Sequence, residues 1–315
     1  MRDYLQLHGL IVLWGITSII GRWISLPSLE LVFYRTALAA AALGVIAVWR
    51  KQSLRVTRKD ALVLMANGSV IALHWIMFFL AAKISSASIC LAGLATCTLW
   101  TALLQPLFFR TFKWYGHQIV LGIVMASALT IIFHYQPTAS VGLAVALVSA
   151  FFATVFSLFN ALLIRRHHYL VMTFYELAGA ALFCAMLAPV YVYRFSETGT
   201  FAIPTTANDW TWLLVLSLVC TVLAFTGYVE LLNRMDVFTI NLAANLEPVY
   251  GMILAAALDG DWLKLSAGFY GGSLLILTTI LAYPWFERTI TGRADSAVGQ
   301  ESGCAKLTTR NKRET

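Results

Sequence analysis

The chain has 315 residues, of which 60% are hydrophobic and only 12% charged, with a mean hydropathy of +0.77. Soluble domains carry about a quarter charged residues, so this balance excludes an ordinary soluble enzyme or binding module. The net charge of +7 needs no nucleic-acid partner, because the cations fall where a multi-pass membrane protein keeps them.

About 20 mostly apolar residues cross the hydrocarbon core as a helix. Ten runs meet that length, at about 5–25, 27–49, 60–82, 86–110, 114–134, 140–165, 169–193, 209–233, 236–258 and 262–286. They are continuous rather than alternating over ~10-residue segments, which predicts helices and not a β-barrel. The first run is too long for a usual signal peptide, lacks a small-residue cleavage site and is followed at once by another span. With the N-terminus in the cytoplasm, 17 of the 22 Lys and Arg lie inside and only Arg22, Lys83, Arg194 and Lys264 outside, while Arg35 lies within a span. Both termini are therefore expected to be cytoplasmic. Trp23, Trp49, Trp114, Trp210, Trp212, Trp262 and Trp285 fall near span ends, as an interfacial belt requires. The cysteines form no CxxC pair and are expected to be packing residues.

The two sets of five spans echo each other. In the second span "LVFYRTALAAAAL" precedes "VMTFYELAGAALF" of the seventh by 141 residues, pairing Phe33, Tyr34 and Arg35 with Phe174, Tyr175 and Glu176. Further on, an offset of 151 pairs Leu80 with Leu231, Lys83 with Arg234, Ile89 with Ile240 and Leu91 with Leu242. The longer loop between the seventh and eighth spans accounts for the change. A unit of five spans followed by its copy enters the membrane the other way up, so the expected fold is an all-α polytopic protein of ten transmembrane helices in two inverted five-helix repeats. The units are 5–134 and 140–286, followed by a polar cytoplasmic tail, 287–315, expected to be disordered.

The polar groups inside these spans are the candidate functional residues. Glu247 lies eleven residues beyond Asp236, about 17 Å along a helix and so near mid-bilayer. Pro248 beside it is expected to kink the helix and free the carbonyl of Ala244, which at that depth needs protein, water or a cavity. An intramembrane carboxylate costs about 2.5–3.5 kcal/mol, so Glu247 either serves the pathway or glues helices. Asn241 and Asn245 share one helical face, with Glu247 about 120° away from Asn241. One face is expected to look into the cavity and the other at a neighbouring helix. Arg35 must snorkel, pair or receive an anion. Its candidate partners are Glu30, Glu176, Glu247 and a substrate carboxylate. Arg35 and Glu176, at corresponding places with reversed charge, are candidate gates of opposite faces. Trp14, Trp75 and Trp100 lie well inside their spans, and with His74, Tyr175 and Tyr228 they form a candidate aromatic wall; packed core is the plain alternative for each.

The stretches "LWGITSIIGRW" (Leu13–Trp23), "FYRTALAA" (Phe33–Ala40), "AAKISSASICLAGLATCTLWTALLQPL" (Ala81–Leu107) and "NLAANLEPVYGMILAAAL" (Asn241–Leu258), with "GDWLKLSAGFYGGSLLIL" after it, resemble the drug/metabolite transporter (DMT) superfamily in its EamA-type permease branch. The resemblance covers roughly residues 5–286. It implies a transporter of the bacterial-type plasma (inner) membrane that moves an amino acid, metabolite or drug. The branch often has a proline in the fourth span of each half, but Pro248 aligns with Cys97, and the first half has only Pro106. The branch's "GE" after the ninth span appears as "DGD", Asp259–Asp261.

No GxxxxGK[ST] phosphate loop, repeated filter loop or HExxH occurs, which argues against direct ATP use, a channel and a metalloenzyme. The expected function is a secondary transporter exporting a small organic solute by alternating access, with no catalytic residue, cofactor or metal. An intramembrane enzyme and a receptor or scaffold are the alternatives. The partners expected are a small-molecule substrate and the lipid bilayer. GxxxG-like patterns such as Gly122 with Ala126 and Gly268 with Gly272 permit a monomer or a homodimer.

Overall fold

Helices begin where the chain offers a capping group. Thr57 accepts a hydrogen bond from the Asp60 amide, His168 from that of Leu170, Thr206 from that of Asp209, and Asp236 from those of Phe238 and Thr239. Each side chain satisfies an amide that the first helical turn leaves without a partner. The protein is seen in a computed structural model that describes residues 2–85, 90, 93–109, 113–133, 140–196, 198–259, 267–268, 270–283 and 285. Its helices are α1 (Arg2–Trp23), α2 (Ser28–Trp49), α3 (Arg58–Ile84), α4 (Cys97–Phe108), α5 (Gly116–Phe133), α6 (Ser140–Leu163), α7 (Tyr169–Arg194), α8 (Ala207–Leu231), α9 (Val237–Ala244), α10 (Glu247–Asp259) and α11 (Tyr270–Tyr283).

Six of them, α1, α2, α3, α6, α7 and α8, are long and apolar enough to cross a membrane. The helices at the other four predicted spans are shorter, and two of these spans are broken. The fourth turns at Ala95 and Thr96 before α4 begins, and the ninth turns at Asn245 and Leu246 between α9 and α10. The fourth does so without a proline, since Thr96 donates both its amide (3.1 Å) and its hydroxyl (2.6 Å) to the Gly93 carbonyl. Trp262, Gly260 and Asp261 of the "DGD" stretch and the tail 287–315 lie outside the described residues.

The packing is swapped between the two sequence halves. Helix α3 lies against α6 and α7, while α8 lies against α1 and α2. Helix α1 packs on α10, α4 on α6, and the pairs α2–α7 and α4–α9 join like positions of each half. Helices α3 and α7 cross backbone to backbone. A Cβ on Gly68 would sit 1.9 Å from the Glu176 carbonyl oxygen, and one on Gly179 would sit 2.3 Å from that of Met65. A Cβ on Gly15 would lie 3.0 Å from the Gly251 amide nitrogen, so α1 runs close beside α10.

One end of the bundle is held by Asp209, which is 2% exposed. Its carboxylate accepts from the Ser25 amide (2.9 Å), the Ser25 hydroxyl (2.9 Å) and the Thr206 hydroxyl (2.8 Å), tying the α1–α2 loop to the start of α8. Hydrogen bonds to an ionised group are each worth about 1.5–3 kcal/mol. Asp209→Ala is therefore expected to lower stability by about 2 kcal/mol, read as a fall in the thermal midpoint of the detergent-solubilised protein. Asp209→Asn, which keeps an acceptor, should lose less.

Candidate functional site

Helices of both halves line a cavity of about 160 Å³. Its walls come from every helix except α7, α10 contributing only its first two residues, and α11. Of the residues singled out in the sequence, Trp14, Arg35, His74, Trp75, Tyr228, Asn241, Asn245, Glu247 and Pro248 border it. Trp100, Tyr175 and Glu176 do not. Trp100 packs on Phe151, with ring centres 5.4 Å apart. The Tyr175 hydroxyl donates to the Leu54 carbonyl at 3.1 Å, tying α7 to the α2–α3 loop.

Glu176 is fully buried, and one of its oxygens accepts from Asn67 Nδ2 at 2.9 Å. The same nitrogen donates to Asn160 Oδ1 at 2.6 Å. This network joins α3 to α6 and α7 beneath the Gly68 crossing. Asn67 and Asn160 were missed in the sequence, although two asparagines within apolar spans were a usable signal.

Arg35 is 3% exposed. None of the three glutamates expected as partners lies within ion-pair distance of it, 4.0 Å, among the described residues. Its Nε donates instead to Thr221 Oγ1 at 2.7 Å and its Nη2 to the Cys220 carbonyl at 3.5 Å. Both acceptors lie in a π-helical turn of α8, Leu218–Leu223, where the Thr221 hydroxyl donates to the Leu216 carbonyl at 2.8 Å. The guanidinium lies 4.1 Å from the centre of the Trp75 ring, a cation–π geometry. No sequence pattern marks such a turn, so these partners could not be read in advance. Glu30 accepts from the Ala202 amide at 3.3 Å, away from Arg35.

The ninth span is interrupted just before Pro248. The chain turns at Asn245 and Leu246, whose amides bond three residues back to Leu242 (3.3 Å) and Ala243 (3.0 Å), and Pro248 occupies the second position of α10. In a first turn the missing amide of proline costs little, because that position has no helical acceptor. The break also cancels the 120° separation, which holds only within one unbroken helix. Asn241, Asn245 and Glu247 consequently all border the cavity. The asparagines reach a neighbouring helix as well. Asn241 Nδ2 donates to Thr101 Oγ1 at 2.7 Å and Asn245 Nδ2 to Thr98 Oγ1 at 2.8 Å. The Glu247 carboxylate makes no hydrogen bond or ion pair among the described residues.

Aromatic side chains and His74 line other parts of the wall. Trp14 stands edge-on to Tyr228, with ring centres 5.6 Å apart, and Trp75 to Phe225 at 6.0 Å. His74 Nδ1 is 2.9 Å from Ser149 Oγ, which donates to the His74 carbonyl at 2.9 Å. Cys90, Cys97, Cys184 and Cys220 are free thiols, and no group of three metal-binding side chains occurs among the described residues.

Residues 140–291 match the model of the EamA-like transporter family. The second half of the chain is similar to that family of transporters. The likeness, together with the apolar helices, supports a multi-pass membrane protein and a transporter of the DMT type with a small-molecule substrate. Twenty-one chains of solved structures match the fold. One, a crystal structure, superimposes with a TM-score of 0.71 over 89% of this chain and 96% of its own, at 14% identity. No curated protein matches significantly.

Proposed function

We propose that the protein is a secondary transporter of an inner membrane that exports a small organic solute, such as an amino acid, metabolite or drug, by alternating access around this cavity. The observation that carries this reading is the cavity itself, which is walled by helices of both sequence halves and holds an arginine and a glutamate that no ion pair joins. An intramembrane charge is costly and persists where it lines a pathway or meets a partner.

Two inverted five-helix units, 5–134 and 140–286, provide the rocking bodies. The swapped packing of α3 and α8, the paired breaks at residues 95–96 and 245–246, and a family match that spans about one unit all support them. In this scheme Glu247 is the coupling group and Arg35 meets the solute. Trp14, Trp75, His74, Tyr228, Asn241 and Asn245 form the solute's wall, and Pro248 starts the half-helix that carries Glu247. Glu176 works at the α3–α7 seam, where closure of one face is controlled. Trp100 and Tyr175 brace the helices behind. Both termini lie in the cytoplasm, and the protein works as a monomer or a homodimer.

The test is a counterflow screen of amino acids and other metabolites in proteoliposomes, with and without a pH gradient. At least one solute should exchange faster than in empty vesicles by tenfold or more. Protein that is folded yet moves none of them would overturn the proposal. Single cysteines placed in corresponding loops of the two units should label from opposite sides.

A further inference from the structure

The Arg35 guanidinium has more donors than the protein uses. Of its five N–H groups, Nε–H is taken by Thr221 and one on Nη2 by Cys220, and among the described residues no acceptor meets the Nη1 hydrogens. The side chain is 97% buried and borders the cavity. Its partners are an uncharged hydroxyl, a backbone carbonyl and the face of an indole, so its positive charge is held in place without being neutralised by contact. The π-helical turn of α8 aims Nε, and Trp75 covers one face of the plane. Only the edge of the fork is left for a ligand. A planar fork with parallel N–H groups matches a carboxylate, which can take two hydrogen bonds from it. The same cavity is lined by the apolar side chains of Trp14, Ile71, Phe156 and Phe225.

We infer that Arg35 is the anchor for a carboxylate on the transported solute, whose apolar body lies against this aromatic wall. The inference rests on the transporter reading only in taking the cavity to be the solute's site. A buried fork is worth most to a ligand that supplies both the charge and the two acceptors, and a neutral amide supplies one oxygen and no charge. Selectivity for the acid over its amide is therefore built into the site. The hydroxyl of Thr221 and the ring of Trp75 are positioning groups that act through Arg35.

The experiment titrates the full-length detergent-solubilised protein at neutral pH with 3-phenylpropionate and with 3-phenylpropionamide. Binding is followed by tryptophan fluorescence, which Trp14 and Trp75 supply at the site. The acid is expected to bind at least tenfold more tightly than the amide. Arg35→Gln should bring the acid down to about the affinity of the amide, while the amide, which takes a single uncharged hydrogen bond from the fork, loses far less than the acid. Phenylalanine tests the two sources of a carboxylate. An advantage over phenylpropionate that Glu247→Gln removes marks a zwitterion, equal binding marks a simple anion, and both keep the Arg35 contact. Equal affinity of acid and amide for the wild-type protein would overturn the assignment even if the variant does not fold, and so would unaltered acid binding by Arg35→Gln. Acid binding without flux of any solute would sink the transporter reading and leave this one standing. Flux of neutral solutes with no preference for the acid would do the reverse.

Discussion

Gly68→Ala is expected to destabilise the protein more than any other single methyl group added to α3. The new Cβ would lie 1.9 Å from the Glu176 carbonyl oxygen and 2.7 Å from its carbonyl carbon. Both atoms are backbone, so no side chain can swing aside, and α3 and α7 must separate along their crossing. Overpacking of this kind costs about 1–3 kcal/mol even where neighbours can adjust. Here the separation also stretches the 2.9 Å hydrogen bond from Asn67 to Glu176. Gly179→Ala should act similarly, since its Cβ would meet Met65 backbone atoms at 2.3 and 2.5 Å. Gly271→Ala is the control, because nothing lies within 4 Å of its added Cβ. The measurement is the thermal midpoint in detergent, together with the monodisperse fraction on size exclusion. A Gly68→Ala protein that melts with the wild type would show that the two helices do not cross this closely.

The second large effect separates two buried glutamates. Glu247→Gln should leave the thermal midpoint within about 0.5 kcal/mol of wild type, because the carboxylate has no hydrogen-bond or ion-pair partner among the described residues and a near-isosteric change removes no contact. Its expected consequence is functional: transport in liposomes should stop responding to an imposed pH gradient, since an amide cannot carry a proton. Glu176→Leu should behave in the opposite way. It leaves one Asn67 N–H buried without its acceptor, which costs about 1–3 kcal/mol. Glu176→Gln, which retains that acceptor, should recover most of the loss. Transport by Glu247→Gln that still follows the pH gradient would remove the coupling role.

Much of the fold was legible because a membrane makes strong demands on sequence. An apolar run of about 20 residues has few places to go other than across the bilayer, and the helices lie where those runs were read. The ninth span was legible in content but not in shape. Glu247 and Pro248 signalled an interruption, yet the backbone turns at Asn245 and Leu246, and this brings Asn241, Asn245 and Glu247 to one cavity. The matching break at Ala95 and Thr96 carries no proline and gave no warning.

Residue type and depth alone identified Arg35, Glu176 and Glu247 as groups that must be accounted for, since intramembrane charge is expensive wherever it sits. Their partners were another matter. Carboxylates were the natural expectation for Arg35, but its donors meet a hydroxyl and a carbonyl presented by a π-helical turn on a helix 186 residues away in sequence. Glu176 found two asparagines on α3 and α6. Composition and hydropathy determined that this chain lies in a membrane as a bundle of apolar helices, because burial in lipid depends on local content. Only the tertiary structure decided which polar groups share the cavity, because that depends on helix rotation, on breaks in the backbone and on glycine crossings, none of which a linear pattern records.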